Sequence, residues 1–366
     1  MKVGIAHSAL RTARFNGNAE VKGRFHALDA MRGVAAFGVV LTHCLQRALP
    51  EGTLNHTPLR IFTNGRSFVI FFFVLSGFVL TNSIWASSHG TKGYGRYVRR
   101  RLFRLFQPYA IAGILGAVVL FAIQGPDWQA VVDYFSVDGT TRGIEVDPPS
   151  WSMVYELRLS LIIPLIAYLV PRHPVKAAIL TAALFATVEA LIVVLHIGQF
   201  PYGVDNALAG TVVTLRYGVA FTVGALVAYD YSHQRRLIGF VNSKPILWFG
   251  VAAVLMSVLL DQFSLIGATI IVALVLAWKP LGTVLSHPIL AWLGRISFSL
   301  YLTHFIVLEG LIALFGQKAT GWEIAAMTIP LALLVAQVFY ESVEKPSIRW
   351  SRSVGAAKLS HQEAAS

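Results

Sequence analysis

The stretch Ser67–Ala86 reads SFVIFFFVLSGFVLTNSIWA, twenty residues without one charged side chain. A helix advances about 1.5 Å per residue, so about 20 mostly apolar residues cross the hydrocarbon of a bilayer. Nine more stretches qualify or nearly qualify: roughly 28–48, 105–124, 151–170, 175–196, 211–229, 245–260, 264–279, 289–313 and 322–342. The pair 245–260 and 264–279 is short, and Asp261-Gln262-Phe263 separates it only weakly. It reads as a tight hairpin or as one long bent segment, and the hairpin is expected because it returns both termini to one side. The expected fold class is all-α, a polytopic membrane protein with about ten transmembrane helices and both termini cytoplasmic.

Composition agrees. The chain has 366 residues, of which 55% are hydrophobic and only 13% charged. Mean hydropathy is +0.63. A soluble domain carries about twice that charged fraction. Cys44 is the single cysteine, so neither an intrachain disulfide nor a cysteine metal cluster can form. The first 26 residues are polar and basic, and no short apolar core with a small-residue cleavage site follows, so a cleaved leader is not expected.

The net charge of +12 raises the question of nucleic acid. Its distribution answers it. With the N-terminus inside, the inside segments and their helix edges hold 21 of the 30 lysines and arginines. The outside segments hold five: Arg47, Arg60, Arg66, Arg142 and Lys318. That asymmetry is a positive-inside signal, and no nucleic-acid partner is expected. The longest outside segment, 125–150, is expected to be an acidic loop carrying Asp127, Asp133, Asp138, Glu145 and Asp147. Residues 1–26 and 351–366 are expected as cytoplasmic tails around one membrane domain, 27–350. No internal repeat is evident, and no broken helices of the kind that build transporters.

Ionisable groups are costly in hydrocarbon and usually face a cavity or a partner. In the first span Arg32 and His43 stand eleven residues apart, on one face and roughly 16 Å from each other. Spacing alone also fits a snorkelling arginine and a histidine bonded between helices. Glu156 is expected about one turn into the fourth span, at a depth similar to that of His43. His304 lies nine residues after Arg295, well inside its span. No i, i+4 ligand pair stands near His43 or His304, so no metal is expected. Between the second and third spans, Lys92, Arg96, Arg99, Arg100, Arg101 and Arg104 form a cluster that suits phosphate and equally suits anionic lipid.

Six segments in order resemble the acyltransferase 3 family, membrane O-acyltransferases that modify bacterial surface and secreted glycans. Leu28-Asp29-Ala30-Met31-Arg32-Gly33 with His43 resembles its first helix, and Phe71–Phe78 its second. Arg100-Arg101-Leu102-Phe103-Arg104 resembles its basic loop, and Trp151-Ser152-Met153-Val154-Tyr155-Glu156 with Pro164 its Trp-Ser-x-x-x-Glu helix. Leu293–His304 resembles its penultimate helix, and Glu344-Lys345-Pro346 its closing motif. Ala30 replaces a usual glycine, and Leu157, Leu159 and Ser160 replace the common second acid and Phe-Tyr pair.

The resemblance implies transfer of an acyl group, acetyl as first expectation, from cytoplasmic acyl-CoA to a carbohydrate or glycolipid hydroxyl. It implies a multi-pass protein of a bacterial inner membrane. Histidine suits the removal of a hydroxyl proton near neutral pH. His43 is therefore the expected general base, with Glu156 as its orienting carboxylate. Arg32, Arg101 and Arg104 are the expected donor contacts. Asp29, Trp151, Ser152, Tyr301 and His304 are expected along the substrate path. A transporter of a glycan or of an acylated product is the alternative for such a polar-lined bundle.

Overall fold

The computed structural model describes residues 19–50, 53, 57–86, 93–137, 139–197, 204, 206–258, 261–316 and 318–353. Lys92 and most of both tails lie outside these. The described residues are helical, with no strand beyond one isolated bridge between Thr140 and Val204. In chain order the helices are α1 (Ala19–Ala48), α2 (Gly65–Ala86), α3 (Tyr94–Gln124), α4 (Trp128–Ser136), α5 (Thr141–Ile144), α6 (Trp151–Leu169), α7 (Pro174–Val194) and α8 (Ala207–Tyr229). They continue as α9 (Arg236–Ser243), α10 (Pro245–Ser257), α11 (Asp261–Ala277), α12 (Lys279–Leu285), α13 (Pro288–Phe315), α14 (Gly321–Phe339) and α15 (Lys345–Ser353).

Among the described residues eight helices are long and apolar enough to cross a membrane, and up to ten if each bent pair is one span. Proline sits in the first turn of α7, α10 and α13, where its missing N–H costs no bond. Asn206 caps α8 by accepting from the Ala209 N–H at 2.9 Å. Thr320 and Glu323 form a capping box at the start of α14.

The expected hairpin is present as α10 packed beside α11, and each of them meets a short flanking helix at a sharp bend. α9 meets α10 at 101° and α11 meets α12 at 91°. The first break falls at Lys244, just before Pro245, and the second at Trp278, just before Lys279-Pro280, where proline can open a helix but cannot continue one. The short helices α9 and α12 lie in segments expected to be connections, and the spans between them are continuous.

α1 lies against α13 in the most extensive helix contact of the fold. The two run parallel. A Cβ at Gly33 would lie 2.5 Å from the Gly294 backbone, and one at Gly294 would lie 2.5 Å from the Asp29 carbonyl oxygen. Only glycine lets the backbones approach this closely. Ten residues further along each helix, His43 meets His304.

Segment 125–150 folds back against the bundle, with Ala130, Tyr134 and Val146 buried beside Tyr109. Tyr109 stands fifteen residues from either end of α3, about 22 Å along it. The Tyr134 ring stacks on the Tyr109 ring at 4.3 Å, and each hydroxyl donates to the other's backbone carbonyl. A Cβ at Gly116 would collide with the Val146 carbonyl oxygen. The segment therefore descends along α3 and returns to start α6 inside the bundle. Asp127 and Arg142 pair at its exposed neck. The Ala130 N–H and then Arg142 hold the Asp127 carboxyl below the usual carboxylate range. Asp147 ends fully buried, with no hydrogen bond to either oxygen among the described residues.

Candidate active site

The parallel register of α1 and α13 builds the first polar group. His43 Nδ1 lies 3.0 Å from His304 Nε2. His304 Nδ1 lies 2.8 Å from the Tyr301 carbonyl oxygen and 3.1 Å from that of Leu300. A carbonyl only accepts, so Nδ1 of His304 carries the proton and its Nε2 is an acceptor. His43 Nδ1 must then donate to it, which leaves a lone pair on His43 Nε2. The network fixes His43 in the tautomer with a free Nε2, ready to take a proton. His304 is buried, whereas His43 is only half-buried. Phe305 packs edge-on against the His43 ring, with centroids 5.1 Å apart.

Tyr301 and Ser152 join this group. The Tyr301 hydroxyl donates to the Pro149 carbonyl at 2.8 Å and lies 2.8 Å from Ser152 Oγ. The descending segment is thereby tied to the histidine pair, because Tyr301 also supplies the carbonyl that His304 uses. Trp151 turns elsewhere, against Tyr155 and Tyr217.

The second group lies toward the basic ends of the helices. Arg32 pairs with Asp29 at 3.0 Å, one turn apart on α1. Arg101 pairs with Glu156, which also accepts from Ser76 Oγ at 3.0 Å. That pair is only 11% and 12% exposed. Arg104 lies within electrostatic reach of Arg101, Arg32, Glu344 and Asp29. A π-turn at Tyr340–Glu344 precedes α15, and Glu344 accepts from Ser299 Oγ at 2.6 Å.

The sequence-expected residues thus sort into two groups. His43, His304, Tyr301 and Ser152 come together, as do Asp29, Arg32, Arg101, Arg104 and Glu156. The expected contact between Glu156 and His43 is not among the bonds formed: Glu156 serves Arg101 and Ser76, and His304 takes the position beside His43. Phe305, Ser76 and Glu344 were missed as site residues. Glu344 and Ser76 stand inside segments that carried the family resemblance, which was the available signal. Phe305 had none beyond following His304. Cys44 is buried beside Val40 and Ile296. Among the described residues no three His, Cys, Asp or Glu side chains are grouped for a metal.

Comparisons with known proteins identify the family. The family model described as "Acyltransferase domain" matches residues 25–341. The acyltransferase MdmB of Streptomyces mycarofaciens is 25% identical over 363 residues, covering 89% of this chain and 92% of that protein. The O-acetyltransferase OatA of Staphylococcus aureus (strain NCTC 8325 / PS 47) is 23% identical over 361 residues. That match covers 87% of this chain and 56% of OatA. No solved structure matches. The matched span runs from within α1 through α14 and takes in both polar groups except Glu344, so this bundle is a membrane O-acyltransferase that belongs to the acyltransferase 3 family.

Proposed function

We propose that the protein transfers an acyl group, acetyl by first choice, from acyl-CoA to a hydroxyl of a carbohydrate or glycolipid. The observation that carries this reading is the histidine pair, whose hydrogen bonds leave His43 Nε2 as a free acceptor. His43 Nε2 takes the acceptor's hydroxyl proton. The oxygen attacks the thioester carbonyl carbon, the carbon–sulfur bond breaks, and the departing thiolate takes the proton back from His43. The products are an O-acyl ester and free CoA thiol. His304 is a positioning residue, since it holds the tautomer of His43 without touching the reacting atoms. Glu156 acts on the donor side by setting Arg101.

The arginine group supports a polyphosphate donor. Guanidinium forks match phosphate oxygens, and Arg32, with Arg104 in electrostatic reach of it, stands roughly 16 Å along α1 from His43. A pantetheine arm spans such a gap. Both tails are cytoplasmic in this reading, the membrane is a bacterial inner membrane, and the acceptor arrives from the opposite face. Ser152 and Tyr301 frame the substrate path beside the histidine pair, Asp29 stands at its donor end with Arg32, and Trp151 backs it from the Tyr155–Tyr217 cluster.

The test is thiol release by purified protein supplied with acetyl-CoA, with and without neutral glycosides, with the acylated glycoside identified by mass. Glycoside-dependent release with an O-acetyl product is expected. Release without an acylated product, or no release with any acyl-CoA, overturns the reading.

A further inference from the structure

Beyond the histidine pair, away from the arginines, the next helical layer is charged. Arg47 follows His43 by four residues, one turn along the same face of α1. Glu309 follows Phe305 by four residues, and Phe305 is the ring that packs on His43. Arg47 thus stands above His43 and Glu309 above Phe305. The two lie within electrostatic reach of each other. They do not close: among the described residues no ion pair within 4.0 Å joins them. Elsewhere in the bundle opposite charges do close, as in Arg101–Glu156 and Arg216–Glu189. Arg47 is exposed, Glu309 is half-buried, and His43 below them is not sealed.

We infer that Arg47 and Glu309 are the acceptor-recognition pair, and that the acceptor they fit is a neutral polyol of the sugar type. This rests on the acyl transfer to a carbohydrate hydroxyl proposed above and names the residues that hold the acceptor. A carboxylate accepts from hydroxyls and a guanidinium donates to hydroxyl or ring oxygens, so the pair grips both hydrogen-bond senses of a sugar. The two charges cancel, so an anionic or cationic acceptor gains from one member what it loses to the other. Held one turn beyond the base, neighbouring hydroxyls on the pair leave one hydroxyl to reach His43 Nε2.

The experiment compares wild type, Arg47→Gln and Glu309→Gln with a panel of neutral methyl glycosides. The first readout is the acceptor KM and kcat at saturating acetyl-CoA. The second is the rise in melting temperature that each glycoside gives without donor, which needs no turnover. Acceptor KM should rise about tenfold in each variant, while kcat at saturating acceptor and the KM for donor stay near wild type. The glycoside-induced rise in melting temperature should disappear in both. A wild-type acceptor KM and thermal response in both variants overturns the pair and makes it a surface feature. A KM raised by Arg47→Gln and lowered by Glu309→Gln overturns the neutral class in favour of an anion. Thermal response to glycosides without any thiol release sinks acyl transfer and leaves the recognition pair standing.

Discussion

Toward one face of the bundle, arginines and carboxylates compensate one another; about 16 Å along α1, two imidazoles share a single hydrogen bond. The two regions arrange their polar atoms differently. The arginine group balances charge with charge: Arg104 lies within electrostatic reach of two arginines and two carboxylates at once. The histidine pair has no charge to balance and instead has a direction. The Tyr301 carbonyl orients His304, His304 orients His43, and the chain ends on an open lone pair. A compensated ionic cluster suits a ligand that arrives with its own charge. A directional neutral chain suits a single proton transfer.

The comparison breaks first at His43. His43→Ala and His43→Gln should each lower turnover by roughly 10²–10⁴-fold, because neither side chain can take a proton at neutral pH. Donor affinity, measured by equilibrium binding of acyl-CoA, should stay near wild type. Near-normal turnover in either variant would make the histidine structural and end the mechanism.

Next in size is His304. His304→Leu keeps the volume and removes the acceptor for His43 Nδ1, so turnover should fall roughly 10–100-fold with both KM values little changed. If the loss equals that of His43→Ala, His304 takes part in the chemistry and the directional picture is wrong.

On the ionic side, replacing Arg101 and Arg104 together with glutamine should raise the donor KM more than tenfold and spare the acceptor KM. An unchanged donor KM would reduce these arginines to anchors for anionic lipid.

The smallest effect on rate should come from Glu156→Gln. It removes the countercharge from a nearly buried Arg101, so its main consequence is a fall in stability of about 3–5 kcal/mol, read as a lower melting temperature. Turnover per folded molecule should change less than in His304→Leu. A kcat loss matching that of His43→Ala would instead return Glu156 to the base and invert the comparison.

The spans were legible because hydropathy and charge act locally: a 20-residue apolar run and the lysines beside it need no knowledge of the rest of the fold. His43 was legible too, as its spacing from Arg32 is a property of one helix. The partner of Glu156 was not. Arg101 is 55 residues away, and which of two polar groups Glu156 joins depends on how α6 leans on α3 rather than on periodicity. The same holds for His304, whose place beside His43 follows from the parallel register set by Gly33 and Gly294. The packing of segment 125–150 was not legible, because its five acids and its Gly, Pro and Asp steps read as a solvated loop. Its aromatic anchor, Tyr134, has meaning only beside Tyr109.

That segment has a consequence for how the chain is made. Insertion machinery sorts nascent chain by apolarity, one stretch at a time, and a stretch with this acid content is passed across rather than left in the lipid. Segment 125–150 packs on both α3 and the start of α6, so it is expected to seat only after both have been delivered. The reciprocal Tyr109–Tyr134 bonds join α3 to a residue 25 positions later, and they close only when both elements are in place. A bulky reporter placed between Ser136 and Arg142 should give a full-length, correctly threaded polypeptide in which Tyr134 does not seat on Tyr109, read as a lower melting temperature.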